Sequence, residues 1–219
     1  MTDKKNGVKE YSFEESELCF VSEALAEYAK AKRQGEYTLE DYLALPDDQR
    51  VELIDGVIYD MAAPTYIHQA VSQRIGSYFL DYIDKKKGPC FIFIAPVDVQ
   101  LDCDNRTVVQ PDVMIVCERS KFRKGRVFGA PDMVAEVLSK STSSKDRRLK
   151  LVKYRNAGVR EYWIVDPDKK RVFVYEFEKS DFPRIYGFED KVPLGIYQGE
   201  CEVDFAQIYE RIRPLYDTM

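Results

Sequence analysis

Hydrophobic residues recur along this chain at helical spacing in some segments and at strand spacing in others. Between residues 65 and 84, Ile67, Val71 and Ile75 lie four positions apart and share one face of a helix. The pattern therefore predicts an amphipathic helix over 65–84. Residues 12–34 repeat this spacing among many charged side chains and predict a helix with the character of an accessory element.

Shorter helices are predicted where end signals frame an apolar pattern. Thr38 is a favourable N-cap for a short helix that Pro46 brings to an end. Residues 141–158 predict a helix whose last residue, Gly158, is placed as a C-terminal stop. Residues 203–212 predict a helix that closes the chain.

Runs rich in β-branched and aromatic residues predict the strands. Asp55-Gly56 is a strong hairpin signal and joins two predicted strands over VELIDGVIYDMAA. Further strands are predicted over 90–101, 107–117 (interrupted by Pro111), 131–139, 160–166 and 171–178, the last two forming a hairpin around Pro167-Asp168. Residues 118–130 are expected to form a basic loop. This order, without an internal repeat or a linker, predicts one α/β (α+β) domain.

Composition narrows the class of protein. The chain has 219 residues, 45% of them hydrophobic, which is enough for a folded domain with a core. No apolar run approaches the roughly 20 residues of a membrane helix, and the charged N-terminus is not expected to be a signal peptide. The five cysteines are scattered without a CxxC pair, so neither a zinc site nor a disulfide framework is expected. A reducing, cytoplasmic location is the expectation.

Charge is segregated along the chain. The stretch from Arg119 to Arg160 holds 13 basic and 3 acidic residues, a net +10, against −5 for the whole chain and therefore −15 for the remainder. Such segregation fits a surface that faces phosphates. The alternative is a solvated loop and helix face that is basic without a partner.

Glu136 is the most informative acidic residue. It lies inside the apolar run from Met133 to Leu138, which is expected to be buried on both sides. A buried, unpaired carboxylate costs several kcal/mol, so Glu136 should have a cation, a set of hydrogen bonds or a raised pKa. The alternative is an edge strand that leaves Glu136 in solvent.

Asp112 and Glu52 are the other candidate acids. Period-two alternation puts Asp112 on one strand face with Met114 and Val116, and it can meet Glu136 if their strands are neighbours. Taken alone, Asp112 reads as a turn residue beside a proline, and Glu52 as a surface residue that opens a hairpin. Together, such carboxylates suit Mg²⁺ or Mn²⁺.

Three other side chains are candidates for the site. Lys150 lies in the middle of the predicted helix 141–158, with Tyr154 one turn later on the same side. A lysine in a helix is ordinarily solvated. His68, the one histidine, begins helix 65–84 and could touch substrate or bind a metal, or could simply be exposed or satisfied by the fold.

These residues also carry a family resemblance. Asp112 after Pro111, followed by Glu136 in an apolar strand, resembles the PD-(D/E)xK nuclease superfamily. Longer phrases are similar to the Uma-type restriction endonuclease family: YTLEDYLALP, ELIDG, HQAVS, APVDVQL, VVQPDVMIVC, GAPDMVAEVLS, the helix with Lys150 and Tyr154, and AGVREYWIVDP. The resemblance covers residues 37–178, which divides the chain into an N-terminal helical extension, 1–36, and a nuclease domain, 37–219.

The resemblance implies a restriction-endonuclease-like core, a mixed central sheet flanked by helices, and a Mg²⁺- or Mn²⁺-dependent endonuclease acting on DNA. Asp112, Glu136 and the backbone carbonyl of Val137 would hold one ion, and Glu52 would bind a second ion or a water on the first. Leu138 stands where the superfamily lysine usually lies, so the resemblance implies that Lys150 reaches into the site instead.

The remaining roles that the resemblance implies concern substrate and assembly. Lys150 would orient the nucleophile or stabilise the transition state, with Tyr154 holding it in place. Gln110 and His68 match family-typical positions and, with Tyr154, Arg147 and Arg148, are the candidate substrate-binding residues. Nucleases of this kind often dimerise to cut two strands, which implies a homodimer.

Two rival functions remain open from the sequence. The first is a nuclease fold that no longer cuts and serves as a DNA-binding or oligomeric accessory protein, a reading that Leu138 supports. The second is a small-molecule phosphohydrolase, which would consume a nucleotide instead of plasmid DNA.

Overall fold

A computed structural model describes residues 32–46, 49–139 and 144–217 of the chain, without the side chains of 144–147. Its helices are α1 (Leu39–Leu43), α2 (Tyr66–Lys86), α3 (Ser144–Ala157) and α4 (Phe205–Tyr216). Its strands are β1 (Val51–Ile54), β2 (Val57–Asp60), β3 (Phe91–Ile94), β4 (Val99–Gln100), β5 (Val113–Val116), β6 (Phe122–Arg123), β7 (Arg126–Phe128), β8 (Met133–Val137), β9 (Glu161–Asp166), β10 (Arg171–Glu176), β11 (Arg184–Gly187), β12 (Lys191–Pro193) and β13 (Glu202–Asp204). Single 3₁₀ turns lie at Arg119–Lys121 and Gly195–Tyr197.

A six-stranded sheet forms the centre of the fold, in the order β11-β10-β9-β8-β5-β3. β8 and β9 run parallel, whereas the other neighbouring pairs run antiparallel. The parallel pair is joined through α3, as expected for a crossover connection. The predicted class, a mixed sheet flanked by helices, is confirmed.

The sheet is covered on both faces. One face packs α2 and α4 against alternate strand residues such as Ile115, Ala135 and Trp163. The opposite face packs Val134 and Tyr162 against α3 and the smaller β elements. Because both faces are covered, β5, β8 and β9 are buried along their whole length, so a charged residue among them has to find a partner inside the protein.

The predicted helices within the described residues are confirmed. α2 buries Ile67, Val71 and Ile75 along one face, as their spacing predicts. α1 begins after Thr38, whose backbone N–H donates to the Asp41 carboxylate at 2.7 Å. α3 ends at Ala157, where Gly158 follows with a positive φ of 92°. The hairpin at Asp55-Gly56 is confirmed too, since both residues have positive φ, as a tight two-residue turn requires.

Three predicted segments differ in detail. The strand predicted over 90–101 is two strands, β3 and β4, because Pro96 between them has no N–H to donate to a ladder. The strand predicted over 107–117 is regular only in β5; Val108 and Val109 before Pro111 make isolated bridges to other elements. The predicted loop 118–130 contains a 3₁₀ turn and the hairpin β6–β7.

Most of the accessory helix predicted over 12–34 lies outside the described residues. The part of it that the structure describes, 32–34, is not helical. The strands β11, β12 and β13 were not predicted, because their apolar residues are few and separated by charged and glycine positions.

The sequence predicts no disulfide framework, but the structure contains a disulfide between Cys90 and Cys117 that the cysteine pattern did not indicate. The two cysteines meet because β3 and β5 pair antiparallel with Phe91 opposite Val116, which sets the flanking residues side by side. The cysteine pattern therefore gives no support to a reducing compartment. In the part of the chain that the structure describes, no helix is long and apolar enough to cross a membrane.

The packing between α2 and the sheet should dominate stability. Phe79 is fully buried and meets the ring of Trp163 edge-on at 5.7 Å between centroids. We expect Phe79→Ala to lower the free energy of unfolding by about 3–5 kcal/mol, because it removes apolar contacts and leaves a cavity. The matched control is Phe182→Ala, at a side chain that is 81% exposed, and it should change stability by less than about 0.5 kcal/mol. Equal effects of the two variants in urea unfolding would contradict this account of the core.

Candidate active site

The sheet register brings two of the candidate acids together. In the antiparallel pair β5–β8, Val113 lies opposite Ala135, so the next pair in register is Asp112 and Glu136. Both acids alternate onto the sheet face that α3 covers, along with Met114 and Val134. The start of β5 and the end of β8 therefore present two carboxylates at one edge of the sheet.

Asp112 is fixed by backbone and by a histidine. Its Oδ2 accepts the backbone N–H of Val137 at 2.8 Å and lies 3.0 Å from Nε2 of His68. These contacts account for one carboxylate oxygen and hold the side chain against the end of β8. Asp112 is thus part of the fold as well as of the pocket, and not a free turn residue.

Glu52 enters the cluster from the hairpin β1–β2. Its Oε1 accepts the backbone N–H of Gln110 at 2.8 Å and lies 2.9 Å from Nζ of Lys150. The residue is only 5% exposed, so it does not serve as a surface residue opening the hairpin. β1 reaches this position because Leu53 pairs with Val108, just ahead of Asp112 in the chain.

Glu136 has the most perturbed environment of the three. Its Oε1 accepts hydrogen bonds from Lys150 Nζ at 3.0 Å and from the Tyr154 hydroxyl at 2.6 Å. Burial raises the pKa of Glu136 to about 7, the charge of Lys150 opposes that rise, and the charges of Asp112 and Glu52 add to it. Burial is therefore the main reason that Glu136 resists ionisation, and the two neighbouring acids strengthen the effect.

Lys150 is not the solvated lysine that is ordinary on a helix. Its Nζ lies between Glu52 and Glu136, and its side chain is 16% exposed. Burial acts to lower its pKa, but the two carboxylates outweigh burial and raise the pKa above its ordinary value. Lys150 therefore remains a cation throughout the working pH range. Tyr154, one turn along α3, points its hydroxyl to the same Glu136 oxygen.

His68 lies at the start of α2 and is 8% exposed. Burial acts to lower the pKa of His68, but its hydrogen bond to Asp112 and the charges of Asp112 and Glu136 raise it overall. Its Nδ1 is buried without a hydrogen-bond partner in the described part of the chain. The Asp112 and Glu136 carboxylates therefore favour the charged form of His68 more strongly than burial disfavours it.

The sequence patterns missed a polar network behind Glu52. The Gln110 amide donates to the Tyr42 hydroxyl at 3.1 Å and to the Asp98 carboxylate at 3.0 Å, and Tyr42 donates to Asp98 at 2.8 Å. Because the N–H of Gln110 holds Glu52, this network fixes the acid through the backbone. A signal was present, since Asp98 falls inside the family phrase APVDVQL, but nothing in its spacing connects it with Tyr42.

The acids and Lys150 line one pocket of about 320 Å³. Its other walls come from the hairpin β1–β2, from the start of α2 and from Leu138 and Ser139 after β8. Neither the Gln110 side chain nor Tyr154, which is fully buried, lines this pocket. Tyr154 contacts Glu136 from within the protein, whereas the Gln110 side chain contacts Tyr42 and Asp98.

The basic stretch is less available than its residue count suggests. Lys153 is 2.6 Å from both Asp55 and Asp102, and Arg160 lies 3.5 Å from Asp132. Arg148 is exposed on α3 and does not line the pocket. The side chain of Arg147 lies outside the described residues. Part of the positive charge of residues 119–160 is therefore neutralised by ion pairs within the protein.

The carboxylate oxygens are of the type that a hard divalent cation prefers. In this structure, however, they are arranged around the Lys150 ammonium. Within the described residues, no three His, Cys, Asp or Glu side chains are arranged to share an ion as they stand. The Lys150 ammonium lies between Glu52 and Glu136 as their counter-ion. Asp112 and Glu136 nevertheless lie on neighbouring strands, and the contacts above use only Oδ2 and Oε1 of these two carboxylates. Oxygen ligands of this kind are those that Mg²⁺ and Mn²⁺ prefer.

Comparison with known proteins now decides the family. Residues 39–194 match the family described as "Uma2: Putative restriction endonuclease". The chain belongs to the Uma2 family. The matched residues contain every element from α1 to β12 and all four of the pocket residues Glu52, Asp112, Glu136 and Lys150.

Two known proteins are similar to this Uma2 chain. It is 29% identical over 139 residues to an uncharacterised protein of Synechocystis, slr1290, covering 62% of this chain and 72% of that one. The fold is similar to the crystal structure of "a putative nuclease belonging to DUF820" from Anabaena variabilis, with a TM-score of 0.65 and 21% identity, covering 79% of this chain and 97% of that one. The family suggests a nuclease, and the structural neighbour shows that the fold is shared.

The raised pKa of Glu136 makes stability depend on pH. Between its ordinary pKa of 4.5 and its folded value of about 7, the folded protein binds a proton that the unfolded chain does not. That contribution to stability is full below the ordinary pKa and is lost as the pH rises through about 7. Relative to Glu136→Gln, the wild type should lose about 2 kcal/mol of unfolding free energy between about pH 5 and pH 8.

This is measured by urea unfolding in a chelating buffer at both pH values. Glu136→Gln is its own control, because the amide keeps the shape and an oxygen to accept from Tyr154 but cannot titrate. Parallel pH profiles for the two proteins would show that Glu136 does not carry the shift.

Proposed function

We propose that this Uma2 protein is a metal-dependent endonuclease that hydrolyses phosphodiester bonds of DNA. One observation supports the proposal above the others: three carboxylates and a lysine from β1, β5, β8 and α3 lie around one pocket. These residues are distant in sequence, and burying their charges costs free energy. Clusters of this kind are characteristic of functional sites. Membership of a restriction endonuclease family gives the chemistry of that use.

Asp112, Glu136 and the backbone carbonyl of Val137 would hold the cation, with Glu52 contributing from the opposite side. When bound, a divalent cation neutralises charge on a phosphate and favours attack by water. Burial, with a smaller effect from the charges of Asp112 and Glu52, raises the pKa of Glu136, and a divalent cation beside these acids would favour its ionised form, which supports this assignment.

Lys150 supplies the positive group that the superfamily usually takes from a strand lysine. Because its pKa is raised above the ordinary value, it is not a proton acceptor at neutral pH. Its role is to stabilise charge that develops on the phosphate or to orient the nucleophile, a contribution of roughly 2.7–4 kcal/mol for a single donor in comparable sites. Tyr154 contacts the same oxygen of Glu136 and so limits where Lys150 can lie.

DNA is the substrate that the family implies, and a homodimer is the assembly that we include in the proposal. The support for a dimer is chemical: one pocket cuts one strand, and two copies are needed to cut both strands at once. Light scattering of the full chain measures the oligomeric state. A monomer at every concentration would refute the dimer but leave the endonuclease proposal intact.

Asp112→Asn tests the activity. The variant keeps the size of the side chain but weakens it as a cation ligand, so plasmid nicking with Mn²⁺ should fall by at least about 100-fold. Phe182→Ala, at an exposed position, serves as the control with unchanged nicking, and urea unfolding checks that Asp112→Asn remains folded. Full activity of the folded variant would refute the site. Consumption of a nucleotide in place of plasmid would instead favour a small-molecule phosphohydrolase.

Leu138 favours one rival, an accessory protein that has the nuclease fold but does not cut. It lines the pocket two residues after Glu136, where the superfamily lysine usually lies. Calorimetry with Mn²⁺ separates the readings. An enzyme should bind the ion in the wild type and about tenfold or more weakly in Glu136→Gln. Undetectable binding to the wild type, together with nicking that persists in excess chelator, would remove the metal from the proposal.

A further inference from the structure

The hairpin β1–β2 directs a row of side chains into the pocket beside the acids. Strand residues alternate between faces, so Arg50, Glu52 and Ile54 share one face, and all three line the pocket. From the second strand, Tyr59 lies opposite Glu52, and the N–H of Met61 donates to the Arg50 carbonyl at 2.9 Å, which continues the ladder. Tyr59 and Met61 line the pocket too.

Arg50 differs from Lys150 in that its side chain has no partner among the residues that the structure describes. Lys150 is held by Glu52 and Glu136 at 2.9 and 3.0 Å. The guanidinium of Arg50, by contrast, makes no hydrogen bond or ion pair with any residue that the structure describes, although Asp60 lines the same pocket. An arginine at the rim of an acidic pocket is thus available to a ligand, whereas the lysine at its floor is engaged.

We propose that Arg50 is a substrate-binding residue that holds a backbone phosphate of a nucleic acid, next to the phosphate that the acids face. The proposal rests on the proposed function for its substrate class. Two residues along a strand span about 7 Å, so Arg50 is a neighbour of the acidic cluster and not a member of it. Its planar fork can bind phosphate oxygens in pairs, which a lysine cannot do.

The neighbours of Arg50 favour a nucleotide over a free phosphate ion. Tyr59 and Ile54 give the same pocket face an aromatic ring and an apolar side chain, against which a sugar or base can pack. The formal charge of the pocket without Arg50 would repel a polyanion, because its four carboxylates outnumber Lys150 and His68. Arg50 supplies attraction at the entrance where that repulsion begins.

Fluorescence anisotropy with the uncleaving Asp112→Asn protein tests the proposal. The probes are a short fluorescein-labelled DNA single strand and the matching duplex, with unlabelled inorganic phosphate as a competitor. Adding Arg50→Ala should weaken binding of the preferred probe about tenfold and reduce the salt slope by roughly one. Arg50→Lys should recover part of the affinity. Mn²⁺ binding, measured by calorimetry with each Arg50 change made alone in the wild type, should be weakened by neither change.

The matched control is Arg171→Ala, which removes an exposed arginine that does not line the pocket. If the Arg50→Ala variant binds DNA as tightly as the Arg171→Ala variant, the proposal is overturned. It is also overturned if the Asp112→Asn protein without further changes binds neither probe. Competition by inorganic phosphate at concentrations comparable with the oligonucleotide overturns the nucleotide assignment. If the wild type does not nick plasmid while the Arg50 effect persists, the endonuclease proposal fails and the phosphate-binding residue stands.

Discussion

The buried ammonium of Lys150, between the carboxylates of Glu52 and Glu136, is the interaction on which the pocket depends. Three acids gathered in a low-dielectric interior repel one another, and this repulsion adds to burial in raising the pKa of Glu136. Lys150 offsets part of it and ties α3 to β1 and β8. Removing one member of such a group leaves a charge buried without its partner, which is more costly than never having built the group.

The pocket also depends on strand register. Asp112 and Glu136 share a face because Val113 pairs with Ala135, and a slip of one residue would send one of the acids into the core under α2. The Val137 N–H bonded to Asp112 and the Gln110 N–H bonded to Glu52 tie the acids to backbone that the sheet already fixes. The geometry of the site is therefore as rigid as the edge of the sheet.

The sequence predicts the parts of this arrangement that follow from local pattern. The spacing of α2, the hairpin at Asp55-Gly56 and the buried glutamate of β8 could be read directly, and the family phrases supplied Lys150. The pairing of Cys90 with Cys117, the contact of Tyr42 with Asp98 and the internal ion pairs of Lys153 could not be read. Each of these depends on which elements become neighbours in space, and one-dimensional spacing does not record that.

The position of the lysine shows what a nuclease site of this kind constrains. A lysine at 138 would share the face of Glu136, two residues along the same strand, and Leu138 does line the pocket there. Lys150 brings its ammonium to the same glutamate from a helix fourteen residues later, because α3 crosses back over the face onto which Glu136 points. The positive charge must lie near the acids, but the lysine that carries it can come from different positions in the sequence. A motif defined by sequence interval alone would discard this protein, whereas one defined by which groups meet in space retains it.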